Sequence, residues 1–301
     1  IVPSYENNKE ILRKIVNDLK AAKDLLAKCD TIKENKHWMS TENRMLAVNS
    51  GTSGELAKDV FFAYRGYRMN YYAVTAMLAR VYCWAGEYGN AYKEAKEVVD
   101  ATYSTGSTST ASCFNFSNSL TTNRKDYNSI IMTFFKSTCY EDYLPYMTKG
   151  NDVVLVVNTT NLFGDEAGAD DRNLDLFGDW DGGDIKYSFK YDIKEGTSGT
   201  DMIPAIRLSE MYYIMGEYFA YKDEFSKAGE MLDKVRYARG ISTTNLASSI
   251  GSLEVFHTHL IKEMRREFVG EGQMFFQYKR LDQKPKDNVV FVFDKPNNED
   301  I

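Results

Sequence analysis

The sequence predicts a mainly α-helical protein, a frame of paired helices interrupted by a long loop-rich insertion containing short strands. Three observations carry this. An aromatic residue followed three positions later by alanine comes after a short turn twice, at Tyr88-x-x-Ala91 and Phe225-x-x-Ala228, at one constant offset. Apolar residues recur at helical spacing on both sides of each turn. Between the copies, residues 101–203 lose that periodicity and become rich in Ser, Thr, Gly, Asp and aromatic residues. The helical frame is therefore expected over 5–100 and 204–282, the loop-rich face over 101–203, and one domain over 1–301.

Composition sets the outer limits. A chain of 301 residues with 43% hydrophobic content can bury one large core or two smaller ones. Mean hydropathy is −0.45, and no apolar run approaches the length that crosses a bilayer. Net charge is −6, the pI is about 5.3 and no long basic stripe is present, which argues against a nucleic-acid surface. The 21 tyrosines are many for a helical frame, and tyrosine suits adaptable binding surfaces. Cys29, Cys83, Cys113 and Cys139 stand far apart without a Cys-x-x-Cys pair, so neither zinc nor redox chemistry is indicated. The chain opens Ile1-Val2-Pro3-Ser4, with no initiator Met, signal peptide or acylatable Cys, as expected of a truncated or processed form.

Taken in order, residues 7–28 form an amphipathic helix with Asn7 and Glu10 as a capping box and Ile11, Ile15, Leu19, Ala22 and Leu26 as its apolar stripe. A polar loop holding His37 and Trp38 follows. Two helices span 71–100, with Trp84 in the core and Cys83 as a buried small hydrophobe. Ala91, Ala95 and Val98 form the inner face of the second helix, and the small residue after the aromatic lets two helices approach closely, the joint of tetratricopeptide-like pairs. The second pair is expected at 205–222, with Leu208, Met211, Tyr212, Met215 and Phe219 on one face, and at 226–239, closed by Gly240. Within the insertion, 102–112 reads as a loop, Ile130–Phe135 and 153–157 as short strands, and 161–199 as a long loop bearing Phe163, Phe177, Trp180, Tyr187, Phe189 and Tyr191. Residues 289–293 read as a strand and 296–299 as a turn.

The stretch 263–280 organises the C-terminal half. Leu253, Phe256, Leu260, Met264 and Phe268 form one apolar stripe, whereas Glu263, Glu267 and Glu271 lie one turn apart on the other side. Such a row is repulsive unless cations sit against it. Arg266 is three residues from Glu263, and Arg265 and Arg280 are the other cations expected to reach the row. An arginine–glutamate lattice locking the helix end is therefore expected, in preference to a catalytic or metal site. Gly270 or Gly272 supplies a left-handed cap, and Met274-Phe275-Phe276 is expected to return to apolar packing.

These landmarks together resemble the SusD/RagB family. Asp18-Leu19 with Ala21-Ala22 is similar to that family's first helix, and Asn70-Tyr71-Tyr72-Ala73 through Ala79-Arg80-Val81-Tyr82 to its Leu-Ala-Arg-Val-Tyr helix. Asp171-Arg172 resembles the Asp-Arg landmark before the central helix. Arg207-Leu208-Ser209-Glu210-Met211-Tyr212 with Gly216-Glu217 resembles the Arg-Leu-x-Glu-x-Tyr helix. The run from Glu263 to Gly272 resembles the Glu-Arg-Arg-Arg-Glu signature, with Met264 in place of its first arginine and of any ion pair that arginine makes. Residues 296–299 resemble the closing Pro-x-x-Glu. Arg207, Glu210, Glu263, Arg265, Arg266, Glu267, Glu271 and Arg280 are thus the structural signature. The resemblance implies a SusD-like α/α superhelix that binds a glycan without enzymatic turnover. It also implies a lipid anchor at the outer membrane, facing outward, and delivery to a TonB-dependent SusC-like transporter. Members of that family are normally longer.

No catalytic constellation emerges from the residues themselves. His257 and His259, two apart on a helix, point away from each other and cannot chelate one ion, and no phosphate loop or hydrolase elbow is present. Asp179-x-Asp181-Gly182-Gly183-Asp184 faintly resembles a calcium loop but lacks its spacing and closing glutamate. No metal and no cofactor are implied. A sugar needs an aromatic platform beside a few polar groups. Trp180, Tyr187 and Tyr191, or Tyr140, Tyr143 and Tyr146, are the candidates, with Trp38 a third. Two rival readings remain: a peptide-binding scaffold with a groove lined by Asn70 and Arg80, and a carbohydrate-active enzyme with two acids converging in the insertion.

Overall fold

The computed structural model describes residues 8–32, 38, 40, 65–105, 107–151, 153–193 and 201–281. Asn7, His37 and the segments at 289–293 and 296–299 lie outside these residues.

The frame begins with α1 (Asn8–Asp30), which packs on α2 (Tyr71–Trp84). Its buried side keeps Leu19, Ala22 and Leu26 of the expected stripe and departs from it in the first two turns. Val16 is buried and Leu19 packs against the core, whereas Ile11 and Ile15 are exposed. The face is set by its charged neighbours as well as by apolar spacing: Lys23 reaches across to Glu94 and Glu97 at 2.5 and 2.7 Å. Asp30 at the helix end holds Arg65 in a two-pronged ion pair, with the closest approach 2.7 Å.

The helix pairs repeat as expected, down to the turn. α2 and α3 (Tyr88–Val99) are joined through Gly86 at φ +75°, and α7 (Leu208–Ala220) and α8 (Phe225–Ala238) through Asp223 at φ +59°. Glu87 and Glu224 then share φ −87° and ψ 59°, and their amides bond to Tyr82 O and Phe219 O, each at 2.9 Å. The turn demands a left-handed residue before the helix. Glycine meets this freely in one copy, and a short polar aspartate is accommodated in the other. Ala91, Ala95 and Ala228 are wholly buried at the joints. The pairs are stapled where α3 meets α7 by two tyrosine stacks, Tyr88 on Tyr221 at 4.0 Å and Tyr92 on Tyr218 at 4.3 Å.

One apolar core lies among α2, α3 and α7, and a second among α7, α8 and α9 (Leu253–Glu267). Trp38 belongs to the first. Trp84, expected there, is half-buried at the end of α2. The buried Asn70 caps α2, its side-chain oxygen accepting from Ala73 N at 3.0 Å.

The insertion is more ordered than its composition suggests. The Ser/Thr-rich stretch is a hairpin, β1 (Thr102–Ser104) against β2 (Thr110–Ser112), because β-branched threonine suits a half-exposed strand. β3 (Ile130–Phe135) forms as expected and pairs antiparallel with β7 (Met202–Arg207). Residues 205–207 are therefore strand, and the helix expected from 205 starts at Leu208. Pairing of Ile206 with Met132 and Arg207 with Ile130 overrides the helical pattern there, and Pro204 sits within the strand. The run expected at 153–157 is strand only from Val156, as β4 (Val156–Asn158), and Val153 is exposed. Residues 161–199, expected as loop, contribute α6 (Asp171–Leu176) and two strands, β5 (Phe177–Asp179) and β6 (Ile185–Ser188), which join β4 in a sheet of order β4-β6-β5. Two short helices, α4 (Cys139–Tyr143) and α5 (Thr159–Phe163), complete the insertion, and α10 (Met274–Arg280) follows α9.

Candidate functional site

Helix α9 has two faces and the molecule closes around both. Ser252 caps it, its hydroxyl accepting from Val255 N at 3.2 Å. Phe256, Leu260, Met264 and Phe268 are fully buried in the second apolar core. On the opposite face the carboxylate row meets cations drawn from across the sequence. Glu267 is held by Arg239 at 2.6 Å, Arg207 at 2.9 Å and Arg172 at 3.1 Å. Glu263 is held by Arg266 at 2.9 Å and Arg172 at 3.0 Å, and Glu271 by Lys190 at 2.8 Å and Arg207 at 3.0 Å. Asp170, Asp126 and Glu166 extend the lattice, pairing with Arg172, Arg239 and Arg266 at 2.7, 2.7 and 2.6 Å.

The expected lattice is present, but two of its expected cations are not in it. Arg280 pairs with Glu217 instead, at 2.6 and 2.7 Å. Arg265 lies half-buried beside Tyr278. The reason is geometric: the row faces inward, towards the insertion and α8, whereas residues 265 and 280 project elsewhere. Glu210 likewise joins Arg80 through two bonds of 2.6 Å. Burial raises the Glu267 carboxyl, but Arg239 and Arg207 outweigh it and hold the group well below the usual carboxylate range. Burial also works against ionisation of Glu166, and Arg236 and Arg266 reverse it in the same way. An acid held ionised by arginines on every side is a poor proton donor, so Glu267 serves as a lock.

The chain leaves α9 through Gly270 and Gly272, at φ +74° and +70°, and there it opens onto two adjoining clefts. One, of about 360 Å³, is walled by Tyr143, Leu155, Val157, Val269, Met274 and Phe275. The other, of about 320 Å³, is walled by Tyr143, Tyr146, Tyr191 and Leu155, with Lys136 and Asp142 as polar groups. Tyr143, Leu155 and Gly270 belong to both. The Tyr191 hydroxyl donates to Gly270 O at 3.1 Å and its ring meets that of Tyr143 at 5.0 Å. A side chain at Gly270 would crowd the Tyr191 ring, a Cβ there coming within 3.3 Å of it. Burial pushes the Tyr143 phenol up to about 12 and the Tyr191 phenol well above its ordinary value, so both stay neutral.

The aromatic candidates divide into separate places. Tyr143, Tyr146 and Tyr191 come together at the clefts, Tyr146 exposed, Tyr143 half-buried and Tyr191 buried beneath them. Tyr140, on α4, is half-buried and lines neither. Trp180 and Tyr187 sit apart on the β5–β6 hairpin, edge to face at 6.2 Å, with Lys149 over the indole at 5.5 Å. Trp38 is 7% exposed in the first core and presents no platform, which corrects its place among the candidates. Met274, Phe275, Val269, Leu155 and Val157 were missed. The signal was present at 274–276, yet Phe275 and Phe276 are 70% and 54% exposed and do not return to packing.

Other expectations resolve simply. The acidic loop is a reverse turn, Asp179 and Asp181 accepting from the amides of Gly182 and Gly183 at 2.9 and 3.0 Å. Among the described residues no group of three or more His, Cys, Asp or Glu is placed to hold a metal ion. Asn70 and Arg80, the groove of the peptide reading, serve as a helix cap and as the partner of Glu210.

The sequence matches the SusD family model over residues 62–295. The chain belongs to the SusD family. Solved structures agree in fold. A SusD superfamily protein from Bacteroides thetaiotaomicron is 23% identical with a TM-score of 0.54, over 74% of this chain and 52% of that one. A SusD-like carbohydrate binding protein from Bacteroides vulgatus is 19% identical with a TM-score of 0.55, over 91% and 52%. Surface glycan-binding protein A from Bacteroides uniformis is 16% identical with a TM-score of 0.56, over 92% and 58%. The chain thus spans about half the length of the solved structures it matches. No curated protein matches it. The mainly α-helical frame of packed pairs and the strand-bearing insertion are those of a SusD-like superhelix. Arg172 and the Glu263–Gly272 signature, distant in sequence, meet in the lattice of this SusD-family chain.

Proposed function

We propose that this chain captures glycans without turning them over, as part of nutrient acquisition at the cell surface. SusD-family membership supports a surface glycan-binding role in general. The observation that carries the reading to a place is the pair of clefts around Tyr143, Tyr146 and Tyr191. Exposed and half-buried phenol faces offer C–H stacking surfaces to pyranose rings, and Lys136 and Asp142 supply hydrogen-bonding groups for hydroxyls. Capture would be by stacking and hydrogen bonding, with no covalent step. Delivery to a TonB-dependent SusC-like transporter, and a lipid-anchored position facing outward from the outer membrane, complete the proposal at the level of the family.

Affinity electrophoresis against a panel of plant and host polysaccharides tests it, with Tyr146→Ala and Trp180→Ala beside the unaltered chain. Retardation by at least one glycan, lost in Tyr146→Ala and kept in Trp180→Ala, is expected. Loss only in Trp180→Ala would move the platform to the β5–β6 hairpin. No retardation by any glycan would sink the reading for this chain.

A further inference from the structure

The charges that line the two clefts cancel. Among the described residues around the larger cleft, none is charged. Around the smaller one Lys136 and Asp142 are the only charged side chains, and they form an exposed ion pair with each other. The pair is fixed in place: Lys136 N donates to Asp201 O at 2.8 Å, and the Thr138 hydroxyl donates to Asp142 Oδ2 at 3.0 Å. Lys136 and Thr138 hold the Asp142 carboxyl below its usual range, so both partners are charged at neutral pH. The Lys136 ammonium also bonds to Oδ2, which leaves Oδ1 to accept from a ligand beside two further ammonium protons. Lys125 packs over the Tyr191 ring at 4.7 Å, but it is 2% exposed and lines neither cleft.

Resting on the glycan reading above, we propose that the clefts select uncharged glycans, and that Asp142 is the residue that sets this preference. The Lys136–Asp142 pair is then the contact for two neighbouring hydroxyls of one pyranose. One hydroxyl donates to Asp142 Oδ1 while its neighbour accepts from the Lys136 ammonium, and a charged partner strengthens each bond. A uronate ring offers the same hydroxyls but brings a second anion beside Asp142. The attraction of Lys136 is already shared with that carboxylate, and no cation among the described residues of the larger cleft takes the charge up. Stripping water from an anion without giving it a partner is costly. Selectivity therefore comes from repulsion as much as from contact, with Asp142 neutralising the cation of the lining. The net charge of −6 acts in the same direction at longer range.

The test is binding of the full chain, at low salt, to amylopectin, galactomannan and xyloglucan, each before and after oxidation of its primary hydroxyls to carboxylates. The backbone stays the same and only the charge changes. At least one neutral polymer is expected to bind about fivefold more tightly than its oxidised form. Asp142→Asn keeps the shape of the side chain and uncovers Lys136, so it should raise affinity for the oxidised polymer about fivefold. That gain should vanish at about 1 M salt. Adding Lys136→Gln should remove it as well, which assigns it to the ammonium, and misfolding does not produce a gain of affinity. Oxidised polymer held as tightly as neutral polymer by the unaltered chain, or a ratio unmoved by Asp142→Asn, would overturn the preference and leave glycan capture standing. No binding of any polymer in either form would overturn both.

Discussion

The lattice and the clefts lie on opposite sides of one short segment, 267–272, and they are built on opposite principles. In the lattice, charged groups are removed from water and tied to one another, so that side presents little to a ligand. In the clefts, Tyr146, Phe275, Tyr143, Leu155 and Met274 remain accessible to solvent over a buried floor, and few polar groups interrupt them. A buried ion-pair lattice is weak evidence for net stability, because desolvation offsets much of its attraction, but breaking it is severe. An open apolar surface contributes little to folding and is free to bind. The contrast teaches that the buried charged cluster of this chain is architecture, whereas the accessible clefts are where binding is proposed.

The largest effect should come from removing one lattice carboxylate. Glu267→Ala leaves Arg172, Arg207 and Arg239 short of a shared partner, and denaturant unfolding should show a loss of about 3–5 kcal/mol. A loss below about 1 kcal/mol would mean that water replaces the carboxylate, and the lattice would then resemble a surface ion pair.

Acid should reach the lattice before the clefts. Glu267 and Glu166 have folded-state values below those of the unfolded chain, so their contribution is complete above about pH 4.5. Below that pH the unfolded chain takes up protons first, and stability falls as pH drops towards the folded values. Glu166→Gln should make this acid limb shallower in pH-dependent unfolding, whereas Tyr146→Ala should leave it unchanged.

Lys125 lies on the boundary, 4.7 Å over the Tyr191 ring. Burial pushes its ammonium down to about 8. The unfolded chain therefore binds more protons between pH 8 and about 10.4, and stability from this group rises with pH across that window by about 1–3 kcal/mol. Lys125→Met should abolish the rise, as read from unfolding midpoints at pH 7 and pH 10. An unchanged difference between the two midpoints would remove Lys125 from the account.

The smallest stability effect belongs to the clefts. Tyr146→Ala removes an exposed ring and should change unfolding free energy by about 0.5 kcal/mol or less, while weakening glycan retention about tenfold. Destabilisation comparable to that of Glu267→Ala would show that the cleft wall is packed as firmly as the lattice.

Much of the frame was legible because its signals are local. The aromatic-x-x-Ala joint, repeated at a constant offset, located both helix pairs, and the turn geometry proved common to both copies. The apolar stripe of α9 and the left-handed glycines after it were equally plain. Legibility failed where a partner from elsewhere decides. Ile206 and Arg207 continue a helical pattern but pair with β3, and α1 leaves Ile11 and Ile15 of its stripe exposed where Val16 is buried instead. Trp38 looked like a binding platform and is a core residue, because composition does not record burial.

By itself, the sequence determined the long helices of the frame, that Glu263, Glu267 and Glu271 would line up, and that cations must meet them. Only the tertiary structure decided which ones. Arg172, Lys190, Arg207 and Arg239 come from the insertion, a strand and α8, and a charge finds its partner by position in space. The clefts were decided the same way: Tyr143, Tyr191 and Phe275 share no periodicity, and only the closed chain sets them around two adjoining clefts.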